Sequence, residues 1–177
     1  MPRPRLSLST LALSSALCAC SPTLNWRDVE VGPHTKAQFP CKPEHAQRTL
    51  PLDGTPMRAA MWVCDAGGVS WSATVLEVGD PARLEAVLRA SRLGLAARLQ
   101  GREASSQPVQ IAGMTPNPES RRVAIVTQSG QATAARAEAV FVARGLQVFQ
   151  FVAMAPRGVP SDWAESADTF LGSLRWP

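Results

Sequence analysis

Two glycine turn signals divide the segment between Ala46 and Val78 into short extended runs. Asp53-Gly54 and Gly67-Gly68 each lie between runs that are rich in apolar and β-branched residues. Two-residue signals of this kind are typical of β-hairpins, which leave little freedom in how the flanking residues pair. They predict three antiparallel strands, the first of them an edge strand because it contains Pro51: Ala46–Leu52, Met57–Cys64 and Val69–Val78.

The second of these hairpins also determines which side chains share a face of the sheet. Side chains alternate between the two faces along a strand, so Trp62, Cys64 and Trp71 are expected on the same face. By the same alternation, Phe149 and Phe151 share one face of a later strand. We interpret the four aromatic residues as a core cluster. The alternative is an aromatic platform, built from the same side chains, that binds a ligand.

The remaining patterns indicate a fold that mixes strands and helices. Asp80-Pro81 begins a helix that continues to about Gln100, because an N-cap Asp followed by Pro favours a helix start. Leu84, Val87, Leu88, Ser91, Leu95 and Leu99 form its apolar stripe. A second helix with an apolar stripe is expected near the end of the chain, with Ser161 as its N-cap. The other expected elements are strands at Lys36–Phe39, Gln107–Ile111, Arg122–Gln128, Gln131–Ala143 and Leu146–Met154, a turn at Ser129-Gly130, and the final helix at Ser161–Leu174. The alanines of Gln131–Ala143 would also suit a helix, but a long hairpin with Leu146–Met154 is the better interpretation.

Together these elements predict the fold class. Strands, a helix, strands and a helix follow one another, which is typical of an α+β domain. We therefore expect an antiparallel β-sheet with two main helices packed on it.

The N-terminus has the pattern of a secretory signal peptide. Arg3 and Arg5 precede the mildly apolar stretch Leu6–Ala19, which is too short to span a bilayer. The stretch ends in Leu17-Cys18-Ala19-Cys20, which resembles the bacterial lipobox. This resemblance implies cleavage before Cys20, diacylation of its thiol and a stable lipid anchor. The alternatives are a soluble secreted protein cut elsewhere and an uncleaved signal anchor.

The lipobox divides the chain into three parts. Residues 1–19 are the expected signal peptide, 20–33 the lipidated N-terminus and tether, and 34–177 a single α+β domain. Ser21 replaces the Asp that retains enterobacterial lipoproteins in the inner membrane, so we expect a periplasm-facing position at the outer membrane. Loss of the two signal-peptide arginines lowers the net charge from +4 to about +2. So small a charge does not favour nucleic-acid binding, which requires a clustered basic surface.

Two cysteines remain after Cys18 leaves with the signal peptide and Cys20 is lipidated. Cys41 and Cys64 lie in an oxidising compartment, where a structural disulfide is the expected state. The bond closes a loop of about 24 residues. A redox or metal-binding pair is the alternative, but the chain has no CxxC motif and no histidine with ligand spacing to both cysteines.

Three segments resemble a known set of proteins. They are Phe39-Pro40-Cys41-Lys42-Pro43, Cys64-Asp65-Ala66-Gly67-Gly68-Val69 and the run from Ala143 to Gln150. With the lipobox, they resemble uncharacterised proteobacterial lipoproteins typical of Burkholderia-like bacteria, a family without an established activity. The opening motif and the element order are also similar to the PsbP/Mog1-like α/β/α sandwich. That similarity implies an assembly or binding module rather than a catalyst, although a fold alone does not determine function.

Few residues could carry catalysis. The chain has no tyrosine and only two histidines, His34 and His45, which we interpret as surface residues. Asp162, Glu165 and Asp168 could bind a cation, but we interpret them as a solvated helix face, on which the helix dipole favours acidic residues near the N-terminus. No nucleophile elbow, phosphate-binding loop or calcium loop is visible. We therefore expect no catalytic residues, no metal and no cofactor.

The sequence leaves two functional hypotheses. The first is a non-enzymatic, lipid-anchored envelope protein that binds a protein partner or supports assembly. The second is a carrier of a small apolar or lipid ligand between sheet and helix, which uses the aromatic cluster and requires a cavity of roughly 300 Å³ or more. An enzyme ranks third, because so few catalytic groups are present.

Overall fold

A seven-stranded antiparallel β-sheet forms the centre of the fold. The computed structural model describes residues 23–52, 54–127, 135–156 and 158–176. The strands are β1 (Arg27–Glu30), β2 (Lys36–Phe39), β3 (Glu44–Leu52), β4 (Thr55–Ala66), β5 (Val69–Glu77), β6 (Gly101–Pro108), β7 (Arg121–Thr127), β8 (Arg136–Arg144) and β9 (Gln147–Ala155), and the helices are α1 (Leu84–Arg98) and α2 (Trp163–Leu171). The order across the large sheet is β3-β4-β5-β9-β8-β7-β6, and β1 and β2 form a separate hairpin.

Two tight turns set the register of the first three strands of the sheet. Gly67 and Gly68 both have positive φ, and they connect the paired residues Ala66 and Val69. Positive φ at both central residues matches the right-handed twist of a hairpin, which is why glycine is favoured there. Leu52 lies opposite Thr55, as the expected Asp53-Gly54 hairpin requires, although Asp53 itself lies outside the described residues.

One helix covers each face of the sheet. α1 packs its expected stripe, including Leu84, Val87 and Leu88, on the face we call the α1 face. α2 packs Trp163, Ala167, Phe170 and Leu171 on the opposite, α2 face. Central strands therefore bury consecutive side chains, as Val148 and Phe149 do in β9. The predicted α+β class is confirmed, and the layers run helix, sheet, helix.

Two expectations about individual elements are wrong. β6 begins directly after α1 at Gly101, six residues before the strand predicted at Gln107–Ile111. It was missed because this edge strand is mostly exposed and lacks an apolar alternation. α2 is shorter than predicted, and Asp162 rather than Ser161 precedes it, without a side-chain capping bond. The turn expected at Ser129-Gly130 lies outside the described residues.

The expected tether is also wrong where the structure describes it. β1 pairs antiparallel with β2, and Val31 between them is fully buried. The Trp26 ring packs edge-on against the Trp71 ring at 6.0 Å between centroids. Residues 27–33 thus belong to the fold, because their short strand and apolar side chains cover the α2 face. The expected signal peptide and Cys20 lie outside the described residues.

An ion cluster connects α1 to the segment that follows it. Arg92 binds Glu103 at 2.6 Å and Glu119 at 3.1 Å, and Arg89 binds Glu119 at 3.2 Å. Burial opposes ionisation of the Glu119 carboxyl, but the hydrogen bonds from Arg92 and Arg89 outweigh it and hold its pKa below the usual range. The cluster therefore fixes the start of β6 and the end of the β6–β7 connection to one helix.

A disulfide joins Cys41, just after β2, to Cys64 of β4, a sequence separation of 23. The predicted bond is therefore present. It connects the β1–β2 hairpin covalently to the sheet on which the hairpin packs.

The double variant Cys41→Ala/Cys64→Ala is expected to lower the free energy of unfolding by ~3.4 kcal/mol, because the unfolded chain regains the entropy of an open loop. Urea unfolding monitored by tryptophan fluorescence measures the change. Wild-type protein in reductant is the control and should unfold near the double variant. Equal stability of the oxidised wild type and the double variant would contradict a stabilising role for the bond.

Candidate functional site

The predicted aromatic cluster divides into two parts. Trp71, Phe149 and Phe151 are fully buried on the α2 face. The Trp71 and Phe151 rings contact the Phe170 ring of α2 at 5.3 and 5.6 Å between centroids. These three residues are core, as we interpreted them. Trp62 shares their face but is only partly buried, and it lines an open groove.

This groove, which we call the edge groove, has a volume of about 1040 Å³ and lies on the α2 face of β3, β4 and β5. Its floor consists of three rows of side chains that face one another across the strands. The rows follow from the register of these strands, because each residue shares its face with its cross-strand partner. They are His45 and Trp62; Gln47, Ala60 and Val75; and Thr49, Arg58 and Glu77.

The small side chain of Ala60 creates the depression in the floor. Trp62 is two residues away on one side, and Arg58 is two residues away on the other, where it forms an exposed ion pair with Glu77 at 2.6 Å. The cross-strand neighbour on β5 is Val75, which is buried and belongs to the core beneath the α2 face. The groove is therefore a shallow depression above Ala60 and Val75. The Trp62 side chain lies on one side of it, and the Arg58–Glu77 ion pair lies on the other.

The turn between β1 and β2 forms the wall of the groove. Glu30, Pro33 and His34 line it, and His34 has a positive φ of 54° that non-glycine residues seldom adopt. The Asp28 carboxylate binds Arg175 at 2.6 Å, and the backbones of Lys36 and Arg175 pair as an isolated bridge. The hydrogen bond from Arg175 lowers the pKa of Asp28. The C-terminal segment thus holds the wall in place.

Both histidines of the chain lie at the groove. The His45 ring stacks on the Trp62 ring with 4.7 Å between centroids and a 34° tilt. His34 lies on the wall. We interpreted both as surface residues, and that interpretation did not predict that they lie at the same groove. For His45 the signal was present, because counting back from the Asp53-Gly54 hairpin places it opposite Trp62. Nothing in the sequence places His34 beside them.

The groove carries aromatic, ionic and hydrogen-bonding side chains. It combines an imidazole stacked on an indole, the amides of Gln47 and Gln147, the Thr49 hydroxyl and an ion pair around a small apolar base. Mixed apolar and hydrogen-bonding linings are typical of binding sites. In the ranges that the structure describes, no three His, Cys, Asp or Glu side chains are grouped so that they could hold a metal ion.

The acidic residues considered for a cation site have other partners. Asp168 binds Arg122 at 2.5 Å, and Asp162 accepts a hydrogen bond from the Ser166 hydroxyl at 3.2 Å. Arg122 also binds Glu138 of β8, which accepts a bond from the Trp163 indole. Asp168 therefore helps to attach α2 to the sheet.

A second groove, of about 690 Å³, lies along the β6–β7 connection. Val109, Ile111 and Met114 line it, together with prolines at positions 108, 116 and 118. The same three apolar residues pack against the core beneath the α2 face. Because its lining is largely apolar and these side chains are already packed, this groove offers fewer recognition groups than the edge groove.

Comparison with models of known protein families and with curated proteins matched nothing to this chain. Among the described helices, neither α1 nor α2 has the length and apolar character that crossing a membrane requires.

The division of the aromatic cluster can be measured. Trp71→Ala is expected to lower the free energy of unfolding by roughly 3–5 kcal/mol, because it leaves a cavity in a packed core. Trp62→Ala, the matched control, removes a partly exposed ring and should cost about 1–2 kcal/mol. Urea unfolding of both variants gives the comparison. Similar losses for the two variants would contradict the assignment of Trp71 to the core and Trp62 to the groove.

Proposed function

We propose that this chain is a non-enzymatic, lipid-anchored protein of the bacterial envelope that holds a protein partner in the edge groove. The observation that carries the proposal is the groove itself, an open depression next to an edge strand with the His45–Trp62 stack at one end and the Arg58–Glu77 pair at the other. The lipobox supports the anchor, with Cys20 as the acylated residue. The partner is another protein of the periplasm or the outer membrane.

The direction in which the chain enters the fold supports this arrangement. Leu24 lies against the β4–β5 turn, where its side chain would come within 3.1 Å of a Cβ added to Gly67. Only Ser21 and Pro22 separate Cys20 from the first described residue, Thr23. An anchor on Cys20 therefore places this turn towards the membrane. The groove begins at Trp62 and extends along β4 towards Arg58, away from that turn, which leaves it accessible from the periplasm.

The dimensions of the groove favour a protein over a small apolar ligand. About 1040 Å³ is at the upper end of the range for small-molecule sites, and this groove is open rather than enclosed. Three of the four aromatic residues that a ligand carrier would use are packed in the core, Trp71 and Phe151 against Phe170 of α2 and Phe149 against Trp176. Exposed polar groups around a small apolar base are typical of surfaces that bind another protein without permanent burial.

The anchor is tested by the intact mass of the protein purified from native membranes. We expect the mass of residues 20–177 plus acyl groups, less two hydrogens for the Cys41–Cys64 bond. Replacement of Cys20 by Ser is the control and should yield an unacylated protein, because the thiol is the acylated group. An unacylated wild-type mass, or one that retains residues 1–19, would contradict the lipoprotein assignment.

The groove is tested by photo-crosslinking in cells. A benzophenone amino acid in place of Thr49, at the groove floor, is expected to yield a discrete crosslinked protein. Ala60→Trp should reduce that product at least tenfold, because an indole fills the depression. Ala97→Trp, the same change on the exposed face of α1, is the matched control and should leave the product unchanged. Equal yields from the Ala60→Trp and wild-type proteins would contradict groove binding.

A further inference from the structure

We propose that the outer edge of β3 is a strand-addition site, where the partner contributes an extended segment that pairs with the backbone of His45, Gln47 and Thr49. This inference rests on the proposed function, because it specifies how the edge groove holds a protein. In strand addition, main-chain hydrogen bonds supply affinity, and alternate side chains that enter neighbouring depressions supply specificity.

The register identifies the residues whose backbone groups point outward. A two-residue turn makes Leu52 and Thr55 a hydrogen-bonded pair. Hydrogen-bonded and non-hydrogen-bonded pairs alternate along an antiparallel ladder. His45, Gln47 and Thr49 therefore occupy non-hydrogen-bonded positions opposite β4, so that their N–H and C=O groups face away from it. Within the described part of the chain, β3 is the last strand on that side of the sheet.

Two independent features agree with this assignment. Pro51 and Pro56 lie opposite each other at the next non-hydrogen-bonded position, where neither needs an N–H for the β3–β4 ladder. Counting from the Gly67-Gly68 turn, Ala60 and Trp62 occupy hydrogen-bonded positions opposite β5. Their backbone groups therefore point towards β5 and not towards β3.

The same three residues present their side chains to the groove. His45, Gln47 and Thr49 form the part of the groove floor that is nearest the sheet edge. A strand added beside them would place every second side chain on the same face as Gln47, two strand spacings, or about 10 Å, from Ala60. A long or aromatic side chain is needed to extend over Gln47 into the depression. The segment that fits has a bulky apolar residue opposite Gln47, flanked at two-residue spacing by polar residues.

The two edges of the sheet differ in their protection. β6, at the far edge, is interrupted by a bulge between Glu103 and Ser105, and it ends in Pro108. Such devices prevent an edge strand from pairing with another chain. β3 pairs with β4 over nine residues without a register shift, and it is exposed along most of its length. Its only proline, Pro51, lies beyond the groove.

The test uses a phage-displayed library of random linear peptides, about the length of β3, selected on the full-length protein in detergent. Selected peptides are then titrated against two variants of one residue. Gln47→Pro removes an outward N–H and places a ring in the path of an added strand, but it breaks no bond to β4. Gln47→Ala, the matched control, removes the side chain and keeps the backbone group. Thermal unfolding confirms that both variants fold.

We expect the selected peptides to have an apolar residue flanked by polar ones. Their affinity for Gln47→Ala should lie within about twofold of that for wild type. Their affinity for Gln47→Pro should be at least about fivefold weaker, which corresponds to the loss of one hydrogen bond. Peptides that lose affinity for Ala60→Trp but not for Gln47→Pro would overturn strand addition and leave groove binding intact. Failure to select any peptide would also overturn it, and the crosslinking experiment would still test the groove separately. If the wild-type protein forms a dimer that only Gln47→Pro abolishes, the strand paired with β3 belongs to a second copy of this chain. That result would overturn the proposal that a different protein supplies the strand.

Discussion

The register of β3, β4 and β5 is the constraint on which the other features of this molecule depend. Two-residue turns at both ends of β4 determine every cross-strand pair in this part of the sheet. They place Cys64 beside Trp71, where the disulfide meets the core, and they place His45 opposite Trp62. A shift by one residue would move each of these side chains to the opposite face. The groove, the disulfide position and the outward backbone groups of β3 therefore all follow from the register that the two turns impose.

Much of this register could be predicted, because its signals are local. Asp53-Gly54 and Gly67-Gly68 indicate the turns, and alternation then assigns faces to the residues between them. Alternation also puts Phe149 and Phe151 on one face of their strand, but which aromatic residues are buried does not follow from it, since Trp62 shares a face with Trp71 and is only partly buried. The position of His45 follows from the same turns, because counting back from Asp53-Gly54 pairs it with Trp62, although the histidine taken alone carries no such signal.

The features that could not be predicted depend on what covers the sheet. β1 is four residues of mixed polarity, and its pairing with β2 is visible only once both pack on the core. β6 is solvated on its outer side and carries no apolar period. The groove exists because neither α2 nor the β1–β2 hairpin extends over Ala60. No pattern in the sequence specifies where a covering layer ends.

The short distance between Cys20 and the first described residue, Thr23, has a consequence for the affinity that the proposed partner needs. With Cys20 acylated as proposed, the three peptide links to Thr23 span at most about 10 Å, so the domain is confined to a thin layer above the bilayer. Any partner anchored in the same membrane shares that layer. Confinement of two proteins to one surface raises their effective concentration towards each other, much as a short linker does. A contact that would be weak between freely diffusing molecules can then be occupied most of the time, while each encounter remains brief and reversible.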